Sequence, residues 1–474
     1  MNFRILTWPS DDGRLILVAR IIRTFGYGFL SVILSIYLAL IGFNGVQVGI
    51  ILSTSLLNGI LFNVIASYYA DRLGRRNLLI IYSLLMFSSG IIFFITDNYI
   101  ALIVAAFIGT INVTGSETSA FLSIEQAILP RTVRDIKKRN MLFAIYNLTG
   151  TLSMSAGILL SGLPTIVQQY VHGLSLAESM KILFLIYSLL GIASILIYLR
   201  LSKDIEVTST DKRSPINSPE YKYKKFNNID GNNGNSNNND KGQKLPQGNK
   251  QGNQLDRTFK VSSLFASILS PKSKQIVTKL SALFAIDSFA GGFVIQSIVS
   301  LWFYARFGAD LSTISYILSI SGVVTAFSFM AAARIADRIG LINTMVFTHL
   351  PANILIIVVA FAPTLPIAAI LYLIRMALSQ MDVPTRQSYI VSVVKDEERT
   401  AATGITNISR NVSQALSPSL AGYIIQSLSL FFVPFLIGGV LKVIYDIFLY
   451  FSFRNIKPQQ EEHDDDDDDD DGNR

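Results

Sequence analysis

Among the charged side chains inside long apolar stretches of this chain, eleven are singled out: Arg20, Arg23, Glu117, Glu125, Asp287, Arg375, Asp382, Arg386, Arg410, Lys442 and Asp446. Each is expensive in hydrocarbon unless it faces a partner or a wet cavity, so each is a candidate for chemistry. Six are basic and five acidic, which allows near-complete pairing and does not demand an anionic ligand. A carboxyl group held deep and unpaired binds a proton more readily than one in water, which is what proton carriage needs. Glu117, Asp287 and Asp382 are the candidates for that role. Arg375, Ser379, Asp382 and Arg386 share one helix face to within about 40°, and Asn407, Arg410, Asn411, Gln414 and Ser417 form a similar polar stripe. Asn112 and its neighbours through Ser119 are too polar for lipid. Arg23, Asn112, Arg375, Asn407 and Arg410 therefore complete the set as cavity residues or charge partners. Simpler readings suit Arg20, which can snorkel, Glu125 and Arg386 near helix ends, and Lys442 with Asp446, spaced to pair along one helix. His349 and Asn353, one turn apart, read as a mutually satisfied polar pair.

The elements that must hold these groups are membrane-spanning helices. Half the residues are hydrophobic, 15% are charged and the mean hydropathy is +0.44. A span needs about 20 mostly apolar residues. Twelve stretches qualify: 15–41, 46–69, 78–96, 99–126, 140–163, 179–201, 275–305, 311–333, 342–362, 365–392, 400–426 and 430–453. The first is too long for a cleaved signal peptide. Asp287 lies about a dozen residues into the seventh, roughly 18 Å along its axis and hence near mid-membrane.

Arg72, Arg75 and Arg76 follow the second span, and five basic residues between 131 and 139 follow the fourth, whereas the alternate loops hold only Arg306. The positive-inside rule places both termini and the long middle loop in the cytoplasm of a multi-pass protein of the cell membrane. The expected organisation is a six-helix unit over 1–201, a linker over 202–274 with an Asn/Gly-rich, disordered heart, a second six-helix unit over 275–455, and an acidic, disordered tail over 456–474. Within the linker, 261–270 could lie as a short amphipathic helix at the membrane surface. The tail's eight aspartates could chelate cations, but a solvated run of like charge is the expected reading.

The two halves resemble each other. ADRLGRR at 70–76 has a worn copy, ADRIGLI, at 336–342, so Asp71, Arg72 and Gly74 correspond to Asp337, Arg338 and Gly340. Phe25, Gly28 and Phe29 match Phe289, Gly292 and Phe293. Glu117 matches Asp382, and Arg23 falls opposite Asp287. Arg139, Ile145, Asn147, Ser153 and Gly162 match Arg399, Ile405, Asn407, Ser413 and Gly422. Ordered blocks at nearly one offset are the mark of a duplicated six-helix unit.

With its 6+6 layout and the string SYYADRLGRRNLL at 67–79, close to the signature GxLaDrxGrkxxl, the chain resembles the major facilitator superfamily. Ser67 replaces the leading glycine, and the fifth-span Gly-Pro motif of drug antiporters is missing from 149–164. The resemblance implies an all-α membrane fold of twelve helices in two pseudo-symmetric six-helix bundles. It also implies a secondary transporter, and a cluster of Asp71, Arg72, Gly74, Arg75 and Arg76 that clasps the halves together on the cytoplasmic side of the outward-open state. From the residues alone, Asp71 can accept hydrogen bonds from a helix N-terminus or pair with a base.

Other classes find no support. Cysteine is absent, no HExxH or P-loop is present, and no nucleophile–base or metal constellation exists. No cofactor or metal is expected, and the basic balance reflects membrane topology rather than nucleic acid. The expected partners are a small-molecule substrate, protons as coupling ion and the lipid bilayer, with the chain acting as a monomer. Efflux of amphipathic compounds is the first reading, suggested by the aromatic-rich spans. Proton-coupled uptake of a sugar or organic acid is the second, suggested by the buried polar groups. A non-transporting receptor would need a structured signalling domain, which neither linker nor tail suggests.

Overall fold

A computed structural model describes residues 9–116, 119–133, 136–206, 269–395, 398–428 and 430–454, and every described element is helical. In order these are α1 (Asp11–Leu40), α2 (Gly45–Leu73), α3 (Arg75–Ile95), α4 (Tyr99–Ile108), α5 (Ala120–Ile128), α6 (Ile136–Leu160), α7 (Leu163–Tyr170) and α8 (Leu176–Tyr198). The second half continues with α9 (Pro271–Gly292), α10 (Gln296–Phe307), α11 (Leu311–Ile339), α12 (Leu341–Ala360), α13 (Leu365–Ser379), α14 (Asp382–Ser392), α15 (Arg399–Leu428) and α16 (Val433–Phe453). The readings of the linker as disordered and of 261–268 as an interfacial helix, like that of the acidic tail, fall outside the described residues.

Among the described residues, ten helical stretches are long and apolar enough to cross a membrane. The two remaining spans are the fourth, which stops at Ile108 and resumes at Ala120, and the eleventh, α15, whose polar stripe dilutes its hydropathy. Two more spans are also discontinuous. The seventh breaks between Gly292 and Gln296, and the tenth breaks at Gln380–Met381. The polar stripe expected along one continuous tenth helix is therefore divided, with Arg375 and Ser379 on α13 and Asp382 and Arg386 on α14.

The packing repeats across the halves. α1 lies against α6 and α8 as α9 lies against α15 and α16, while α3 with α8 corresponds to α12 with α16. The matched residues Gly28 and Gly292 explain the closeness of the first pair of crossings. A Cβ at Gly28 would land on the Met154 carbonyl of α6, and one at Gly292 would meet the Gln414 carbonyl of α15 at 2.6 Å. Such small residues let membrane helices approach backbone to backbone. Beside them the matched phenylalanines make the same edge-on contact, Phe25–Phe29 at 6.1 Å and Phe289–Phe293 at 5.4 Å.

The halves meet through α2 with α15, α11 with α6, and α1 with α10. Among the described residues, the polar bridges between them lie in the half of the molecule away from the two charged turns. Gln296 Nε2 donates to Ser31 Oγ at 2.8 Å, Ser300 Oγ donates to the Val32 carbonyl at 2.7 Å, and Ser161 and Ser315 share a hydrogen bond of 2.7 Å. Val46 N–H donates to Gln426 Oε1 at 3.0 Å, and Gly45 and Gly422 touch through their backbones. One end is thus sealed by serines and glycines. Toward the charged turns, no such bridge joins the halves among the described residues.

Candidate functional site

The first-half charges form a closed knot. Arg23 of α1 makes two parallel hydrogen bonds to Glu125 of α5, Nη1 to Oε1 at 2.8 Å and Nη2 to Oε2 at 2.9 Å. Tyr198 of α8 donates to Glu125 Oε1 at 2.6 Å, Tyr146 of α6 donates to Oε2 at 2.6 Å, and the Phe121 ring lies 4.3 Å from the guanidinium. Arg23 and Glu125 are both 0% exposed. Every carboxylate oxygen has a donor, so the pair is sealed and its role is to join four spans. Glu125, close to the end of α5, is the buried counter-ion of Arg23 rather than an exposed end charge. Of the two roles expected for Arg23, cavity residue or charge partner, the geometry gives it the second. Arg20 stacks on the Tyr146 ring at 3.7 Å instead of snorkelling freely.

The second half assembles a wider network. Asp287 of α9 pairs with Lys442 of α16 through Oδ1. The same carboxylate lies 3.8 Å from Arg386 Nη1 on α14 and 3.9 Å from His349 Nε2 on α12. Arg386 also binds Asp382, one turn away, at 2.6 Å. His349 Nδ1 meets Asp446 Oδ1 at 2.8 Å, and Asn353 donates to Asp446 Oδ2 at 2.7 Å. Lys442 and Asp446 therefore do not pair along their helix, as their spacing suggested. Each reaches across to a different span, because a cross-helix partner offers a shorter, straighter contact than the one four residues away. The His349–Asn353 pair is likewise part of a larger assembly, with Asp446 as its hub.

This network differs from the first-half knot in one chemical respect. With Asp446 accepting from Nδ1–H of His349, Nε2 is left facing Asp287 at hydrogen-bonding range only if one group shifts. A proton added at Nε2 makes the imidazole a third cation, beside Lys442 and Arg386, competing for Asp287. Histidine is the side chain that changes charge most readily near neutral pH. The unit can hold a proton and redistribute its contacts.

Around the breaks the lining is polar. Between α4 and α5, Asn112 Oδ1 accepts from the backbone N–H groups of Thr114 and Gly115, both at 3.0 Å, folding the segment into a tight turn. Gly115 has φ +75°, and a side chain there would collide with Gln296 of α10. A small pocket opens here, lined by Tyr27, Ser55, Asn58, Thr110, Asn112 and Thr114 among others. Opposite, on α15, Asn407 is exposed and Arg410 Nε donates to Ser288 Oγ at 3.0 Å. Arg375 is partly exposed on α13, its Nη1 directed at Met376 Sδ, 3.1 Å away. Glu117, expected here, falls outside the described residues.

The architecture can now be compared with known proteins. The family model described as Major Facilitator Superfamily matches residues 16–381 and again 281–469. This chain belongs to the major facilitator superfamily. As a member of that superfamily it is a multi-pass membrane transporter of a small solute, not an enzyme. An uncharacterized membrane protein of Saccharomyces cerevisiae is 23% identical over 442 residues, 93% of each chain. Among solved structures, a mutant of the nucleoside transporter NupG superposes with a TM-score of 0.68 at 13% identity, covering 94% of this chain and 100% of its own. A D-xylose-proton symporter superposes with a TM-score of 0.67 at 12% identity, covering 92% and 96%. At such identities the likeness is one of fold.

The superfamily's charged turn has a geometry the sequence did not disclose. Gly74 adopts φ +90° and Gly340 φ +81°, the backbone a sharp turn between antiparallel helices requires. The start of α3 is capped by Glu206, which follows the sixth span: its two carboxylate oxygens accept from the N–H groups of Arg75 at 2.7 Å and Arg76 at 3.0 Å. An anion at a helix N-terminus meets both free N–H groups and the positive end of the dipole. Arg76 and Arg75 reach the carbonyls of Leu199 and Ala127, and Arg131 that of Glu206. Here the turn is tied to its own half. Arg72 and Arg338 are exposed, and the side chains of Asp71 and Asp337 lie outside the described residues.

In the second half, Glu398 ties the start of α9 to the loop before α15, with Oε1 accepting from Ser270 N–H. Burial pushes the Glu398 carboxyl up, but hydrogen bonds from Ser273 and Ser270 outweigh it and hold the group below its usual range. Nothing in the composition distinguished Glu206 or Glu398 from other loop acids. Their only signal was position, just beyond a span end.

Proposed function

We propose that this protein is a proton-coupled secondary transporter of a small polar organic solute, its two six-helix units (1–201 and 275–455) rocking about a central cavity. The observation that carries this reading is the second-half network of Asp287, His349, Asp382, Arg386, Arg410, Lys442 and Asp446, with the Tyr445 ring 5.9 Å from that of His349. Four spans supply its linked ion pairs and α15 adds Arg410, so a change in any one charge is felt by helices that must move relative to each other. In this reading Asp287 is the coupling carboxylate and His349 its proton-dependent competitor. Asp382 tunes the network through Arg386, and Glu117 serves the cavity from the fourth-span break.

The polar lining by Asn58, Asn112, Thr114 and Asn407 supports a sugar or organic acid over an amphipathic compound. The D-xylose-proton symporter, by its name, couples a sugar to protons on the same fold. The arginines at the charged turns support a cytoplasmic location for that side, for both termini and for the linker 202–274. With the opposite end sealed, the conformation described here is then the inward-facing one.

The test is accumulation in proteoliposomes across a panel of radiolabelled sugars and organic acids. The expected outcome is uphill accumulation under an imposed pH gradient, collapsing on addition of a protonophore while downhill exchange continues. Accumulation indifferent to the protonophore contradicts proton coupling.

A further inference from the structure

The composition of the spans allowed every buried charge a partner, but the structure does not use that allowance. Each described in-span carboxylate is taken: Glu125 by Arg23, Asp287 by Lys442, Asp382 by Arg386 and Asp446 by His349. Apart from Arg20, which lies over the Tyr146 ring at 3.7 Å, two arginines remain to be placed. Arg375 has no carboxylate within ion-pair distance; its Nη1 meets the soft sulfur of Met376, its Nε is buried without a hydrogen-bond partner, and its one other neighbour of note is the neutral Tyr372, whose side chain it also reaches. Arg410 rests on Ser288, beyond ion-pair distance of Asp287 and Asp382, whose charges Lys442 and Arg386 already meet.

A guanidinium without a counter-ion is costly at mid-membrane, and the ordinary remedy is to snorkel to the surface. Arg375 cannot do so. It sits ten residues from the start of α13, about 15 Å along the axis at 1.5 Å per residue, farther than its side chain extends. Four permanent cations thus face three carboxylates in the described second-half interior: Arg375, Arg386, Arg410 and Lys442 against Asp287, Asp382 and Asp446.

We propose that Arg375 binds an oxyanion, a carboxylate or phosphate carried by the transported solute. This rests on the transport reading above and sharpens it: the solute is an organic anion. The planar fork of the guanidinium presents two parallel N–H donors matched to such a group.

The absence of native cysteine permits a test that does not depend on transport. A single cysteine replaces Gln380, partly exposed at the tenth-span break just beyond Arg375. It is then modified by an anionic (sulfonatoethyl) or a cationic (trimethylammonioethyl) methanethiosulfonate. Relative to a free thiol, the anionic reagent should be favoured by about tenfold or more, the effect expected of an uncompensated charge within about 8 Å in a cavity of intermediate dielectric. Arg375→Gln should remove most of that preference, Arg410→Gln a smaller part, and Arg375→Lys should retain it, which separates loss of charge from loss of fold. Gluconate should protect the thiol where glucose does not if the site takes a carboxylate, and glycerol 3-phosphate where glycerol does not if it takes a phosphate. A preference unchanged in Arg375→Gln, or protection by the neutral members or by none of the four compounds, overturns the proposal. Because labelling needs no turnover, a transport-dead protein with a strong anionic preference would count against proton coupling and not against the anion site.

Discussion

Asp287→Asn is expected to abolish accumulation against a gradient while leaving exchange intact. A pH gradient of one unit supplies about 1.4 kcal/mol per proton, which sustains about tenfold accumulation if one proton accompanies each solute. The variant should fall from that level to simple equilibration. Its structural cost complicates the reading, since Lys442 loses the carboxylate it binds, and breaking a buried pair from one side costs about 3–5 kcal/mol. Replacing both members removes that ambiguity, because a buried pair exchanged for neutral groups is often nearly neutral in stability. Asp287→Asn with Lys442→Gln should therefore melt within a few degrees of the parent and still fail to accumulate solute. A double variant that accumulates normally would reduce the pair to scaffolding.

The opposite pattern is expected in the first half. Glu125→Gln leaves Arg23, 0% exposed, without its counter-ion and weakens the hydrogen bonds from Tyr146 and Tyr198. A loss of about 3–5 kcal/mol is expected, seen as a sharp fall in melting temperature and in recoverable protein. Tyr198→Phe and Tyr146→Phe each remove one hydrogen bond to a charged group and should cost about 1.5–3 kcal/mol. Protein that survives these changes should transport with unaltered dependence on the pH gradient. A shifted gradient dependence in Tyr146→Phe would show that the knot takes part in coupling after all.

The contrast between these two clusters marks where sequence reading succeeded and where it stopped. Span number, the repeated charged turns and the duplicated glycines were legible because each follows from a local requirement. A span needs length and apolarity, a sharp turn needs a left-handed residue, and a close crossing needs a missing side chain. The matches of Gly28 with Gly292 and Gly162 with Gly422 even anticipated functions: the first pair permits crossings within each half, and the second lines the seal between halves, where Gly162 faces Ser312 and Gly422 faces Gly45.

Pairing was not legible, because it depends on helix rotation and crossing angle, which periodicity leaves open. Lys442 and Asp446 looked like partners on one helix, yet they serve α9 and α12. Glu125 was discounted for its depth near a helix end, although two tyrosines and Arg23 converge on it. Tyr146 and Tyr198 gave no signal in spans already rich in aromatics. The breaks in the fourth and tenth spans were hidden for a related reason. Their polar residues read equally well as a stripe on a continuous helix, and only the turn built on Asn112 and the stop at Gln380 decide otherwise.

Whether the second-half network carries protons is tested most directly by recording lumenal pH in proteoliposomes with a trapped fluorescent indicator while a transported solute is added outside. The account predicts a solute-dependent pH change in the parent protein that disappears in Asp287→Asn with Lys442→Gln, even though labelled solute still exchanges. Solute entry without any pH change in the parent, or an equal change in the double variant, would contradict it.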